Sequence, residues 1–193
     1  MKNKLICIVG MCGSGKSEVA DFFVSHGFSY LRFGQITLDE VKRRGLEPKE
    51  ENERPIREEF RRIHGQGAFA ILNIPRFDEL LQNGNVIGDG LYSWEEYKIL
   101  KEKYKENLII IAVYASPSTR YARLEDRVSR YKDDPQMKYR SFSREEAKSR
   151  DYSEIENIAK AGPIAMADFT IVNEGTVEEL RSNIERVYNK IFN

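Results

Sequence analysis

The chain has 193 residues, enough to bury one good core and too few for two large ones. Hydrophobic residues make up 40% and charged residues 32%, the balance of a soluble globular protein and not of a disordered one. Lys plus Arg and Asp plus Glu stand at 31 each, so no net field draws the chain onto nucleic acid or an anionic membrane, and anion binding has to come from local basic clusters.

Lys4 to Val9 (KLICIV) is a nearly continuous apolar run, the pattern of a strand buried on both faces. It is too short for a signal-peptide core or a membrane span, and no other stretch approaches spanning length. Cys7 and Cys12 read as reduced thiols of a cytoplasmic protein, not as a disulfide framework or a metal site. A glycine-rich turn leads to a helix over Lys16 to His26, with Val19, Ala20, Phe22 and Phe23 apolar and Gly27 as its stop. Phe28 to Phe33 has the make-up of a second strand, and Thr37 to Arg44 that of a charged helix closed by Gly45. Pro48 opens a polar stretch in which Ile56, Phe60 and Ile63 recur at helical spacing up to His64-Gly65. Ala68 to Leu81 carries another helical pattern, which Pro75 is expected to kink or split.

Asn83-Gly84-Asn85 is a turn, and Val86-Ile87-Gly88 a short central strand ending at Asp89-Gly90. Ser93, with Glu96 three residues on, starts a helix as a capping pair. Leu108 to Tyr114 (LIIIAVY) is the most hydrophobic strand, and Ser116-Pro117 opens a helix to about Arg127. Ser129 to Ser141 mixes polar, charged and turn-forming residues and reads as a mobile flap. Ser143 to Ala161 is helical, Phe169 to Val172 is a last strand and Val177 to Phe192 an amphipathic helix. Five apolar strands alternating with helices define an α/β fold, a five-stranded parallel sheet flanked by helices and joined by right-handed crossovers. Ligands of such sheets bind at the carboxyl ends of strands, where Gly10 to Ser17, Asp89 and Ser116 all fall.

Gly10-Met11-Cys12-Gly13-Ser14-Gly15-Lys16-Ser17 matches G-x-x-x-x-G-K-[ST] at every fixed position, with a buried strand before it and a helix after it. Gly10, Gly13, Ser14 and Gly15 form a curled backbone whose N–H groups point at phosphate oxygens, and the helix N-terminus adds favourable partial charge. Lys16 reaches the β- and γ-phosphates, and the Ser17 hydroxyl coordinates Mg²⁺. The fold is therefore of the P-loop NTPase kind, with ATP and Mg²⁺ as cofactors. No Asn-Lys-x-Asp tetrapeptide occurs, which argues against a GTPase. No second acidic pair follows an apolar strand, as an AAA-type Walker B requires. Instead Asp89 ends a short strand, and arginines accumulate later as Arg120, Arg123, Arg127, Arg130, Arg140, Arg144 and Arg150.

Several further segments run in a recognisable order. They are Val41-Lys42-Arg43-Arg44-Gly45-Leu46-Glu47-Pro48, Asp89-Gly90-Leu91-Tyr92-Ser93-Trp94-Glu95-Glu96, Ala115-Ser116-Pro117-Ser118-Thr119-Arg120, Arg150-Asp151 and Ala167-Asp168-Phe169-Thr170-Ile171-Val172-Asn173-Glu174-Gly175. With Met11 to Ser17 they resemble the superfamily of nucleoside monophosphate kinases and dephospho-coenzyme A kinase, and within it the adenylate-kinase-like P-loop proteins found mainly in archaea. The likeness runs over almost the whole chain.

The resemblance implies phosphoryl transfer from ATP to a nucleotide-like small molecule, a (deoxy)nucleoside monophosphate first and dephospho-coenzyme A second. It divides the chain into a core (about 1–34, 84–128 and 160–193), an acceptor insert (about 35–83) and a lid (about 129–150). Asp89 is then the carboxylate that holds Mg²⁺ through water or receives the acceptor. Arg123 and Arg127, at i and i+4 on one helix face, place one arginine on adenine and one on the phosphates. Arg150 is similar to the lid arginine that reaches the transferred group, and Asn173 lies in the loop against adenine. On the acceptor side Arg57 and Arg61 clamp a phosphate, although a plain surface helix would carry the same residues.

Two departures bear on the substrate. Gln35 stands where the resemblance leads one to expect an aspartate, so it can hydrogen-bond an acceptor but not take its proton. Tyr92 replaces an expected arginine and offers a ring for stacking. These replacements support a rival of another class, a nucleotide-binding regulatory protein with weak ATPase. Neither a membrane nor a nucleic acid is expected as a partner; the aromatic residues are too scattered for a stacking platform.

Overall fold

A computed structural model describes residues 3–130 and 142–192, apart from the side chains at 50 and 127–130. The flap expected at Ser129 to Ser141 falls almost wholly outside the described residues, as do the side chains of Arg127, Arg130 and Arg140.

The chain alternates strands and helices. The first half runs β1 (Leu5–Val9), α1 (Lys16–Ser25), β2 (Ser29–Arg32), α2 (Gln35–Arg43), α3 (Glu50–His64), α4 (Ala68–Leu81), β3 (Val86–Asp89) and α5 (Trp94–Tyr104). After a single 3-10 turn come β4 (Leu108–Tyr114), α6 (Pro117–Arg130), α7 (Arg144–Ile158), α8 (Ala161–Ala165), β5 (Phe169–Val172) and α9 (Val177–Phe192). The strands form one parallel sheet in the order β2-β3-β1-β4-β5. This is the five-stranded parallel α/β fold that the apolar runs imply.

β1 sits at the centre, and every residue of LICIV is buried, because a parallel strand covered on both faces has no solvent side. Its alternate residues serve two cores. Leu5, Cys7 and Val9 pack with Phe33, Phe77 and Leu100 beneath α4 and α5, while Ile6 and Ile8 pack with Val19, Phe23, Leu180 and Ile184 beneath α1 and α9. Gly88 of β3 lets the core close tightly: a Cβ there would lie 3.0 Å from Cys7 Sγ and 3.1 Å from the Phe33 ring, so those side chains would have to give way. The capping pair predicted for α5 is present, with Ser93 Oγ accepting from the Glu96 N–H and Glu96 accepting from the Ser93 N–H.

Four local readings are corrected. α2 begins at Gln35, two residues before the expected Thr37. α4 runs unbroken through Pro75; the lost bond falls on the carbonyl of Ile71, an exposed residue. Ile63 is exposed and leaves the apolar stripe of α3 to Ile56 and Phe60. The helix expected to reach Ala161 ends at Ile158, where Ala159 turns left-handed and α8 begins afresh.

Candidate functional site

The turn after β1 is shaped by glycines at which any side chain would be strained. Gly10 has φ +146°, and a Cβ there would lie 2.4 Å from the Val113 carbonyl oxygen at the end of β4. Gly15 has φ +99° and caps α1 with no side-chain hydrogen bond, so the first N–H groups of that helix have no side-chain acceptor. A Cβ on Gly15 would meet Asn173 Nδ2 at 2.2 Å. Lys16 folds back over the loop, its Nζ donating to the carbonyls of Gly10 (3.0 Å) and Met11 (3.1 Å). Desolvation there, then repulsion from Lys160, lowers the Lys16 ammonium to about 8. Ser14 Oγ is buried above Gly10 and has no hydrogen-bond partner among the described residues. A cradle of open N–H groups, a folded lysine and an orphan hydroxyl is what a polyphosphate would fill.

Beside the loop, the partners come from far along the chain. Arg120, buried on α6, donates to the Cys12 carbonyl at 3.1 Å and to both oxygens of Asp151 on α7, at 3.0 and 2.5 Å. Tyr121 OH also donates to Asp151, at 2.9 Å. This fork pins the P-loop to α6 and α7. One turn further along α7, Glu154 accepts from Arg150 Nε at 2.9 Å and from Lys160 Nζ at 2.5 Å. Burial alone would raise the Glu154 carboxyl, but the two cations outweigh it and hold it below its ordinary value. Arg150 also lies over the Phe142 ring at 5.2 Å, and Lys160 over the Tyr92 ring at 4.6 Å.

Asp89 ends β3 directly alongside Ile8 of β1, so its carboxylate stands next to the start of the P-loop; it accepts from Tyr30 OH at 2.8 Å. Ser17 and Asp89 offer only oxygen donors, and no cluster of three or more His, Cys, Asp and Glu occurs among the described residues. That set fits Mg²⁺, which takes one or two protein oxygens and completes its octahedron with phosphate oxygens and water. On the opposite side of β1, buried Asn173 donates to the Ser14 carbonyl at 2.8 Å and lies 3.4 Å from Arg123 Nη2. Glu174 then caps α6 through the Ser116 N–H and the Thr119 hydroxyl.

Residues 6–156 match the family described as AAA domain. Over 189 residues the chain is 36% identical to a UPF0200 protein of Thermococcus sibiricus, an alignment that takes in 97% of this chain and 95% of that one. The chain belongs to the UPF0200 family and to the AAA domain family. The archaeal character expected from the resemblance holds for these UPF0200 relatives. Among solved structures, the fold matches a shikimate kinase from Bacteroides thetaiotaomicron (TM-score 0.59, 13% identity, 97% of this chain and 98% of that one). It also matches a gluconokinase from Sinorhizobium meliloti (TM-score 0.55, 13% identity, 99% and 97%). The UPF0200 chain therefore has a P-loop kinase-like fold. Its AAA domain match qualifies the argument from the missing second acidic pair: the domain is shared although β3 ends in a single Asp89.

Measured against the sequence reading, this UPF0200 member gathers Gly10, Gly13, Ser14, Gly15, Lys16, Ser17, Asp89, Arg123, Arg150 and Asn173 around one loop. Arg127 follows on α6, but its side chain lies outside the described residues. The acceptor side departs from expectation. Gln35 donates to Asp39 Oδ1 at 2.9 Å, one turn along its own helix, and Arg57 pairs with Glu53 at 3.1 Å in the same manner. Arg61, by contrast, lies over the Phe69 ring at 5.3 Å, and desolvation holds its guanidinium below its ordinary value. Tyr92 is half-buried under Lys160 rather than open for stacking, and burial pushes its hydroxyl up to about 12. Asp151, next to Arg150, is engaged by Arg120 and Tyr121.

The sequence reading passed over three residues. Arg120 looked like one of many helix arginines, Glu154 was one glutamate among several, and Lys160 belongs to no motif. Arg120 is set apart only as the last residue of the Ala115–Arg120 segment, and no local signal marks Glu154 or Lys160; their burial does. No helix among the described residues is long and apolar enough to cross a membrane.

Proposed function

We propose that this chain is a cytoplasmic transferase that moves the γ-phosphoryl group of ATP, with Mg²⁺, to a nucleotide-like small molecule, a (deoxy)nucleoside monophosphate before dephospho-coenzyme A. The observation that carries the reading is the meeting of an uncapped P-loop helix with a cationic pair, Arg150 and Lys160, at the carboxyl ends of β1 and β3. Phosphoryl transfer asks a protein mainly to position reactants and to neutralise charge on the phosphoryl oxygens, and these groups suit that task.

When bound, ATP supplies the phosphoryl group and Mg²⁺ screens its oxygens. Gly10 to Ser17 wrap the phosphates, and Lys16 exchanges its bonds to the Gly10 and Met11 carbonyls for β- and γ-oxygens. Ser17 and Asp89 would hold the metal, directly or through water. Arg123 and Asn173 flank the adenine, while Arg150 reaches the transferred group; the roles expected of Arg127 and of a lid over about 129–150 lie largely outside the described residues. The acceptor docks on the insert at about 35–83, against Arg61 and Tyr92, with the remaining segments as the ATP-holding core. Shared fold with a shikimate kinase and a gluconokinase, both small-molecule kinases by name, supports this reading.

A second reading, a nucleotide-binding regulatory protein with weak ATPase, is favoured by one observation: Gln35 and Arg57 are engaged within their own helices. A coupled ADP-release assay against nucleoside and deoxynucleoside monophosphates and dephospho-coenzyme A separates the two. Acceptor-dependent turnover is expected. Turnover that ignores every acceptor, or none at all, sinks the kinase reading.

A further inference from the structure

Burying an ammonium is unfavourable unless its charge is met, and Lys160 is only 2% exposed. It lies on the link between α7 and α8, where its Nζ donates to Glu154 Oε2 at 2.5 Å and stands 4.6 Å from the centre of the Tyr92 ring. These are its side-chain partners among the described residues. An ammonium has three N–H donors; Glu154 accepts one, and an aromatic face does not exhaust the rest.

Tyr92 fixes where those donors stand. A Cβ on Gly90 would lie 3.0 Å from the Tyr92 ring, so the ring rests on the turn that follows Asp89. Asp89 is paired in register with Ile8, two residues before Gly10. Lys160 therefore stands over the carboxyl ends of β3 and β1, beside the P-loop, and its charge acts on Lys16 there. The strand order sets the direction of a nucleotide on that loop. Asn173 follows β5, on one side of β1, and Tyr92 follows β3, on the other. A nucleotide with its base toward Asn173 and Arg123 directs its terminal phosphate toward Lys160.

Two ammonium groups that act on each other repel, and a polyanion bound beside both turns that repulsion into attraction. Glu154 meanwhile bridges Lys160 and Arg150, so one carboxylate holds both cations at the edge of the site. We propose that Lys160 is a second phosphate-binding lysine: its ammonium contacts the terminal phosphoryl oxygens of a nucleotide held at Gly10 to Ser17, and Glu154 keeps it poised there. The proposal rests on the nucleotide reading given above.

Calorimetric titration with AMP-PNP and with ADP, each with Mg²⁺, tests it. Lys160→Met should weaken AMP-PNP by about tenfold or more and ADP by less than about threefold, the signature of a lost charge-assisted contact to the last phosphate alone. Lys160→Arg, which keeps the charge, should restore most of the discrimination. Because Met at this position leaves the Glu154 carboxylate with Arg150 alone, the same comparison is made between Glu154→Gln and the double variant E154Q/K160M, in which the buried carboxylate and the buried ammonium are both absent. Equal weakening of both ligands, or of neither, in these comparisons overturns the role of Lys160. Lys16→Ala serves as the separate control. If the wild type binds neither ligand, or K16A binds both as well as wild type, the nucleotide reading itself fails and the proposal with it.

Discussion

Replacing Glu96 by Gln should flatten the dependence of stability on pH. Glu96 is 1% exposed, and burial pushes its carboxyl from 4.5 to about 7, against the pull of the Tyr92 and Ser93 N–H groups and of Arg61 and Lys160. The folded chain thus binds this proton more tightly than the unfolded chain. Below 4.5 both states hold it, and Glu96 contributes no pH dependence. Between 4.5 and about 7 the unfolded chain releases the proton while the folded chain keeps it, so folding loses stability as pH rises. Above about 7 the whole penalty is present. At about 1.4 kcal/mol per pH unit the gap corresponds to about 3 kcal/mol. Gln keeps an oxygen to accept from the Tyr92 and Ser93 N–H groups but has no proton to release. Urea denaturation at pH 4.5, 6 and 8 should therefore show E96Q gaining on the wild type as pH rises, by up to about 3 kcal/mol at pH 8. A difference that stays constant with pH, or one that favours wild type at high pH, refutes the reasoning.

Arg120→Met leaves Asp151 buried without its cation and should cost about 3–5 kcal/mol in urea denaturation; a loss under about 1 kcal/mol would show that the fork does not hold α6 to α7. Gly15→Ala drives a Cβ into Asn173 at a left-handed φ and should destabilise by about 2–3 kcal/mol, lowering Tm by roughly 4–12 °C. An unchanged melting curve contradicts that. Lys16→Ala should abolish ATP turnover while leaving the far-ultraviolet spectrum and Tm close to wild type; turnover at the wild-type rate would overturn the assignment of the phosphate site. Arg150→Ala should lower kcat by about tenfold or more with a smaller change in ATP affinity, since its contact to the transferred group forms only on closure. Equal losses in both would place Arg150 outside the lid.

The P-loop was legible from the residues alone because its physics is local. Gly10 to Ser17 are contiguous, and their spacing dictates both the curl of the backbone and the placing of Lys16 at the start of α1. The same holds for the Ser93–Glu96 capping pair and for β1, whose five apolar residues admit no solvent-facing assignment. Where a helix offers several partners one turn apart, the sequence does not choose between them. Arg57 and Gln35 could equally face a ligand or a neighbour at i±4, and in the folded chain each meets a carboxylate of its own helix.

The tertiary structure alone decided everything that depends on strand order. Placing β1 between β3 and β4, with β5 beyond, brings Asn173 to the carbonyl of Ser14 across 159 positions and Arg120 to the carbonyl of Cys12 across 108. It also sets Lys160 above Tyr92 and next to the loop. No periodicity encodes such meetings, because a side chain's neighbours across a sheet are fixed by the order in which strands pair and not by distance along the chain. The sequence by itself thus determined the loop that would take the phosphates, and the packing of α7 and α8 against it determined which further cations face that loop.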